Sequence, residues 1–286
     1  MYNAFFAALL FLCLGGNAAA SDTTTQDKLR VVALAPHIVE NLFAIGAGSN
    51  IVGTVDYADY PIEAKSIERI GGYHGISLEK LLALKPDLVI AWKSGNQSED
   101  LEQIKRLGIE VHLSNPTTIN ALAKELTKLG QLTGYVEQSQ QVAEAFTNKL
   151  TAIKRRYQNK QQLSGFYQLW AEPMMTVNNN TWINQLIEIC QVSNVFAHNP
   201  TDYPQISIEN VVIKKPQIII IPDEHAEQPQ AKINWQKWPE VPAVKHNQFI
   251  RVDADLLHRF TPRMLDGLAD MCDKIDASRK KVKSIQ

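Results

Sequence analysis

Three cysteines, no C-x-x-C pair and no H-x-x-x-H spacing leave this 286-residue chain without the ligand clusters of a structural zinc site. The seven histidines, among them His37, His74, His198 and His258, are scattered, so no site for a bare metal ion is expected. There is no P-loop, no G-x-G-x-x-G and no G-x-S-x-G, which argues against a nucleotide-binding or hydrolase core. There is also no Arg-rich run, and the formal net charge is -1, so nothing draws the chain to nucleic acid. Long hydrophobic runs are scarce too. Ala4 to Leu14 is apolar but about half the length needed to span a bilayer.

That short run reads instead as the core of an export signal over residues 1–20. Gly15-Gly16 follow it, and Ala18-Ala19-Ala20 offers small side chains for cleavage, although no Lys or Arg precedes the run. If Cys13 leaves with the signal, Cys190 and Cys272 remain. Export favours a disulfide between them, two buried thiols being the alternative.

The remaining chain, 45% hydrophobic over its full length, is long enough for two lobes that each bury a core. Residues 76–90, beginning Ile76-Ser77-Leu78-Glu79, are echoed without a gap 130 positions later by Ile206-Ser207-Ile208-Glu209. In each copy the serine is placed to cap a helix, and the glutamate lies in the first turn, where the helix dipole favours an anion. A Lys-Pro then ends the helix, and a continuous apolar run follows, as in a parallel strand buried on both faces.

Alternation extends on both sides of each copy. Strands are expected at Arg30–Ala35, Ile51–Val55, Glu110–Leu113, Phe166–Trp170, Ile218–Ile221 and Phe249–Val252. Helices are expected at Glu40–Gly46, Glu99–Leu107, Ile119–Leu129 stopped by Gly130, Thr181–Cys190 and Pro262–Ile275. Val142, Phe146, Leu150, Ile153 and Tyr157 form one helical stripe, predicting a long connecting helix over about 136–160. The fold class is therefore α/β: two Rossmann-like lobes with parallel sheets, over 28–135 and 161–282, joined by one stiff helix that limits their relative motion.

This organisation resembles the helical-backbone class (class III) of periplasmic substrate-binding proteins, which serve ABC importers of cobalamin, haem and ferric siderophores. The resemblance covers Arg30 to Ile275 and is strongest to the cobalamin-binding members. It rests on Leu78-Glu79 through Trp92, on Tyr57-Ala58-Asp59-Tyr60-Pro61, on Pro204-Gln205-Ile206-Ser207, and on Asp255 to Arg259 with Pro262-Arg263. Cys190 and Cys272 fall where that family has its disulfide.

The resemblance implies a monomeric periplasmic protein, not an enzyme, that binds cobalamin (vitamin B12) or a related corrinoid as cargo and holds no cofactor of its own. Trp92, Tyr57, Asp255 and Arg259 carry over as ligand-binding residues. Glu79 and Glu209 carry over as docking carboxylates for arginines on the two membrane permease subunits. Ligands of open α/β sheets bind beyond the carboxyl ends of the strands, which adds Tyr73, Trp170 and Tyr203. Tyr73 and Tyr203 stand where the cobalamin binders have tryptophan, which leaves an iron chelate or haem as the alternative ligand. Trp235 and Trp238 lie in a polar stretch expected at the surface and receive no role.

Overall fold

The computed structural model describes residues 28–223 and 232–283. The expected signal over 1–20 lies outside the described residues.

The first half contains β1 (Val31–Ala33), α1 (Pro36–Ala44), β2 (Ile51–Thr54), the hairpin β3 (Gly71–Gly72) and β4 (Gly75–Ile76), and α2 (Leu78–Ala83). It continues through β5 (Leu88–Trp92), α3 (Ser98–Arg106), β6 (Glu110–Ser114) and α4 (Ala121–Thr133). Helix α5 (Val136–Tyr157) connects the halves, about 33 Å long at 1.5 Å per residue. The second half has β7 (Leu163–Tyr167), the hairpin β8 (Trp170–Ala171) and β9 (Met174–Met175), α6 (Trp182–Ile189) and β10 (Val192–Asn194). It ends with α7 (Ile208–Lys214), β11 (Ile218–Asp223), α8 (Pro242–Lys245), β12 (Phe249–Asp253), α9 (Ala254–Leu257) and α10 (Met264–Lys283).

Two four-stranded parallel sheets result, ordered β2-β1-β5-β6 and β10-β7-β11-β12. The sequence repeat is thus a structural one. Ser77 and Ser207 each accept a bond from the backbone amide three residues on, and α2 and α7 both end at a left-handed lysine, Lys85 (φ 45°) and Lys215 (φ 47°), before proline.

Strand alternation sorts the apolar residues into three cores. Leu88 and Ile90 of β5 and Ile218 and Ile220 of β11 join one large cluster, which also takes Phe146, Leu150 and Tyr157 from α5 and runs through both halves. Val89 and Ala91 face a second cluster private to the first lobe, and Phe166 and Ile219 a third private to the second. The lobes therefore share a hydrophobic core on the α5 side. Cys190, beyond α6, is joined by a disulfide to Cys272 of α10, both fully buried.

Several element boundaries differ from the sequence expectation. Helix α4 runs through Gly130 and stops at Gly134 (φ 81°). Gly130 serves close helix approach instead, since a Cβ there would stand 1.9 Å from Ser139 Oγ of α5. The buried side of α5 starts with Ser139 and Ala143, with Val142 only half-buried beside them. Strand β7 begins at Leu163, pairing with β10 from that residue and with β11 from Gly165, and Trp170 belongs to the β8–β9 hairpin instead. Trp235 is buried, packing edge-on against Phe166 and donating from Nε1 to Gln168 Oε1 at 2.9 Å. Its polar sequence neighbours face away from that third core.

Candidate ligand-binding cleft

In a parallel sheet every strand delivers its following loop to one edge, and here the two such edges meet. Glu40 lies beyond β1 and Asp59 beyond β2, and both accept bonds from Arg259, which lies beyond β12 in the other lobe. The cleft between the lobes is therefore lined by connections leaving strand carboxyl ends. Among the described residues the exposed aromatics are Tyr57, Tyr60, Tyr73, Trp92, Trp170 and Tyr203; Trp92 closes β5 at its carboxyl end and the others lie on these connections. Exposing that much aromatic surface is unfavourable in water unless something covers it.

Each ring is seated by its neighbours. Trp92, 41% exposed, ends β5 with His37 edge-on to it at 5.3 Å. Asn96 accepts from the Trp92 amide at 2.7 Å and donates to the Leu34 carbonyl at 2.8 Å, tying the end of β5 to the end of β1. Tyr73 lies at the tip of the β3–β4 hairpin, its ring 3.8 Å from that of His74. Tyr57 follows β2 in the left-handed region (φ 63°), and Tyr60 in the same loop lies under the Arg263 guanidinium, 3.4 Å from its ring centre. Trp170 opens β8. Tyr203 follows Asp202, whose carboxylate accepts from Asn178 and Asn180.

The cleft floor is an ion-pair network. Glu40, with a side chain only 2% exposed, accepts from Arg259 Nη1 at 2.8 Å and from Arg263 Nε and Nη2 at 3.0 and 3.1 Å. Arg259 Nη1 also bonds Asp59 at 2.7 Å, and its Nη2 bonds Asp255 at 3.4 Å. Burial by itself would make Arg259 easier to deprotonate, but the bonds to Asp59 and Glu40 outweigh it and raise its pKa. Burial opposes ionisation of Asp59 in turn, and the same guanidinium holds its carboxyl below the usual range. His37 and His258 flank the network, and burial lowers each imidazole to about 4, so both are neutral at pH 7. His258 Nε2 and Tyr167 Oη share a bond of 2.9 Å.

The structure places Tyr57, Tyr73, Trp170, Tyr203, Asp255 and Arg259 on segments that follow strand carboxyl ends and Trp92 at the end of β5 itself, and it joins Asp255 directly to Arg259. Glu79 and Glu209 are exposed in the first turns of α2 and α7. Each of these helices crosses back between parallel strands, so it starts on the side of its sheet where the strand carboxyl ends lie. Sequence reasoning gave no site role to Glu40, Asp59, Tyr60, Arg263 or His37. Glu40 had a usable signal: it is a lone charge among Ile38, Val39 and Leu42, which marks a helix position that needs a buried partner.

Comparison with known proteins agrees with this geometry. A family model described as periplasmic binding protein matches residues 31–256. The vitamin B12-binding protein of Vibrio parahaemolyticus is 34% identical over 253 residues, 88% of this chain and 91% of that one. That of Yersinia pestis is 33% identical over 250 residues, 87% of each. The crystal structure of the periplasmic vitamin B12-binding protein of Vibrio cholerae superposes with a TM-score of 0.80 at 34% identity, covering 88% of this chain and 98% of that one. A haem-binding protein of the same organism shares the fold with a TM-score of 0.68 at 17% identity, covering 90% and 99%. With its two parallel-sheet lobes, single connecting helix and aromatic-lined cleft, this chain belongs to the periplasmic binding protein family.

Proposed function

We propose that this protein captures cobalamin or a related corrinoid in the periplasm and delivers it to an ABC importer. The observation that carries this reading is the ring of six exposed aromatic side chains around a polar, ion-paired floor between two lobes. Flat aromatic faces suit the faces of a macrocycle, while floor carboxylates and guanidinium hydrogens suit the carboxamides at its edge. The similarity to vitamin B12-binding proteins over 88% of this chain supports the same ligand.

Delivery rests on Glu79 and Glu209. Two glutamates at equivalent helix starts present paired anionic points to a partner whose own subunits are related by a twofold. At Glu209 the Ser207 hydroxyl and its own backbone amide hold the carboxyl below its usual range, so it stays charged. Exposed apolar neighbours, Leu82 on α2 and Ile213 on α7, give each point a hydrophobic flank.

Titration calorimetry with cyanocobalamin tests the first part. One site per chain with sub-micromolar affinity is expected, and absence of heat with any corrinoid would refute it. For the second part, the E79A/E209A double variant should bind cyanocobalamin like the parent protein and fail to stimulate uptake. Lost ligand binding in that variant would show that these carboxylates line the cleft.

A further inference from the structure

Resting on the corrinoid reading, we infer that Asp59 and Asp255 are specificity determinants that make the cleft select carboxamide-edged macrocycles and reject those whose edge carries carboxylates. Around the two floor guanidiniums stand three carboxylates, Glu40, Asp59 and Asp255, which leaves that cluster one negative charge in excess. Glu40 is sealed, but the side chains of Asp59 and Asp255 are 48% and 44% exposed, so solvent and a ligand can reach them. His37 and His258 are neutral and contribute no positive charge. Lys65 acts on the Asp59 carboxyl only at longer range, as the weakest of the influences that lower it, and neither Lys65 nor Lys93, which follows Trp92, takes part in these ion pairs.

The donor count leads to the same place. A guanidinium has five N–H groups. Arg259 spends both hydrogens of Nη1 on Glu40 and Asp59 and one hydrogen of Nη2 on Asp255, which leaves Nε–H and one Nη2 hydrogen. A carboxamide can use what remains: its carbonyl accepts from the spare guanidinium hydrogens, and its NH2 donates to Asp59 or Asp255. An incoming carboxylate has no such fit. It meets a guanidinium that is already neutralised, offers no hydrogen to the two aspartates, and stands beside two like charges in a partly desolvated site. The same fold can then separate a corrinoid amide from a porphyrin dicarboxylate without any change in its aromatic platform.

The test is a ratio of affinities. Cyanocobalamin is compared with its monocarboxylic acid derivative, in which one propionamide is hydrolysed, on the parent protein and on D59N/D255N. The parent is expected to bind the acid roughly tenfold or more weakly, and the double variant to narrow that gap to within about threefold. Equal affinities in the parent, or a gap that the double variant leaves unchanged, would overturn the inference. A purely structural role for the aspartates would weaken both ligands together and leave the ratio intact. If cyanocobalamin itself does not bind, the proposed function fails, and the charge rule is read on haemin against its neutral dimethyl ester: preference for the ester supports it, and preference for haemin refutes it.

Discussion

Replacing Glu40 by glutamine should cost this protein about 3 kcal/mol of stability. The parent carboxylate is sealed from solvent and accepts three hydrogen bonds from two arginines of the opposite lobe. Removing one partner of a buried ion pair typically costs about 3–5 kcal/mol, because it strands the remaining charge. The lower end applies here, since Arg259 keeps Asp59 and Asp255, and Arg263, about a quarter exposed, keeps the Tyr60 ring. The amide of glutamine retains one acceptor but turns a donor toward a donor, so little is recovered. At this chain length about 3 kcal/mol lowers the melting temperature by about 6–12 °C. Because the lobes share one apolar core, unfolding should remain a single transition. Urea unfolding followed by tryptophan fluorescence, with calorimetric melting as a second probe, measures both. A loss below about 1 kcal/mol would refute the reasoning, since the network would then contribute no more than a solvent-exposed pair.

Three further outcomes follow from the same geometry. The C190A/C272A variant opens a loop of 82 residues and should lose about 4.5 kcal/mol in the chain-entropy picture, measured by urea unfolding against the oxidised parent. His37 and His258, lowered from 6.5 to about 4, take up protons on unfolding, so stability is complete above pH 6.5 and declines as pH falls toward 4. At pH 5 the loss should be about 2 kcal/mol for each, and H258Q should flatten the pH profile by its share; an unchanged profile would contradict the buried neutral state. Gly95→Ala would place a Cβ 1.9 Å from the Trp92 ring, so the ring must leave its place against His37. Cyanocobalamin affinity should drop about tenfold with little change in melting temperature, and an unchanged affinity would remove Trp92 from the cleft.

Local chemistry made much of the fold legible. Serine caps, Lys-Pro stops and β-branched runs lie within a few residues of what they control, so the repeat around Glu79 and Glu209 could be read directly. The positions of the exposed aromatics relative to the sheets were legible for a related reason: the strand–helix order dictates which loops share an edge, and Tyr57, Tyr73, Trp92, Trp170 and Tyr203 are spaced accordingly. Glycine was ambiguous, because Gly130 and Gly134 carry the same local signal and only the approach of Ser139 decides which of them ends α4. Trp235 shows the same limit, since its polar neighbours say nothing about the Gln168 acceptor that buries it.

What the sequence by itself determined is the order of elements, the duplication and the set of side chains available to a ligand, all properties of short-range spacing. Only the tertiary structure decided what those side chains do to one another. The resemblance assigns Arg259 to ligand binding, yet Glu40, 219 residues away, and Asp59, 200 away, take part of its bonding capacity across the lobe boundary. Ion pairing depends on distance in space and on exclusion of water, and neither is fixed until the two strand edges face each other.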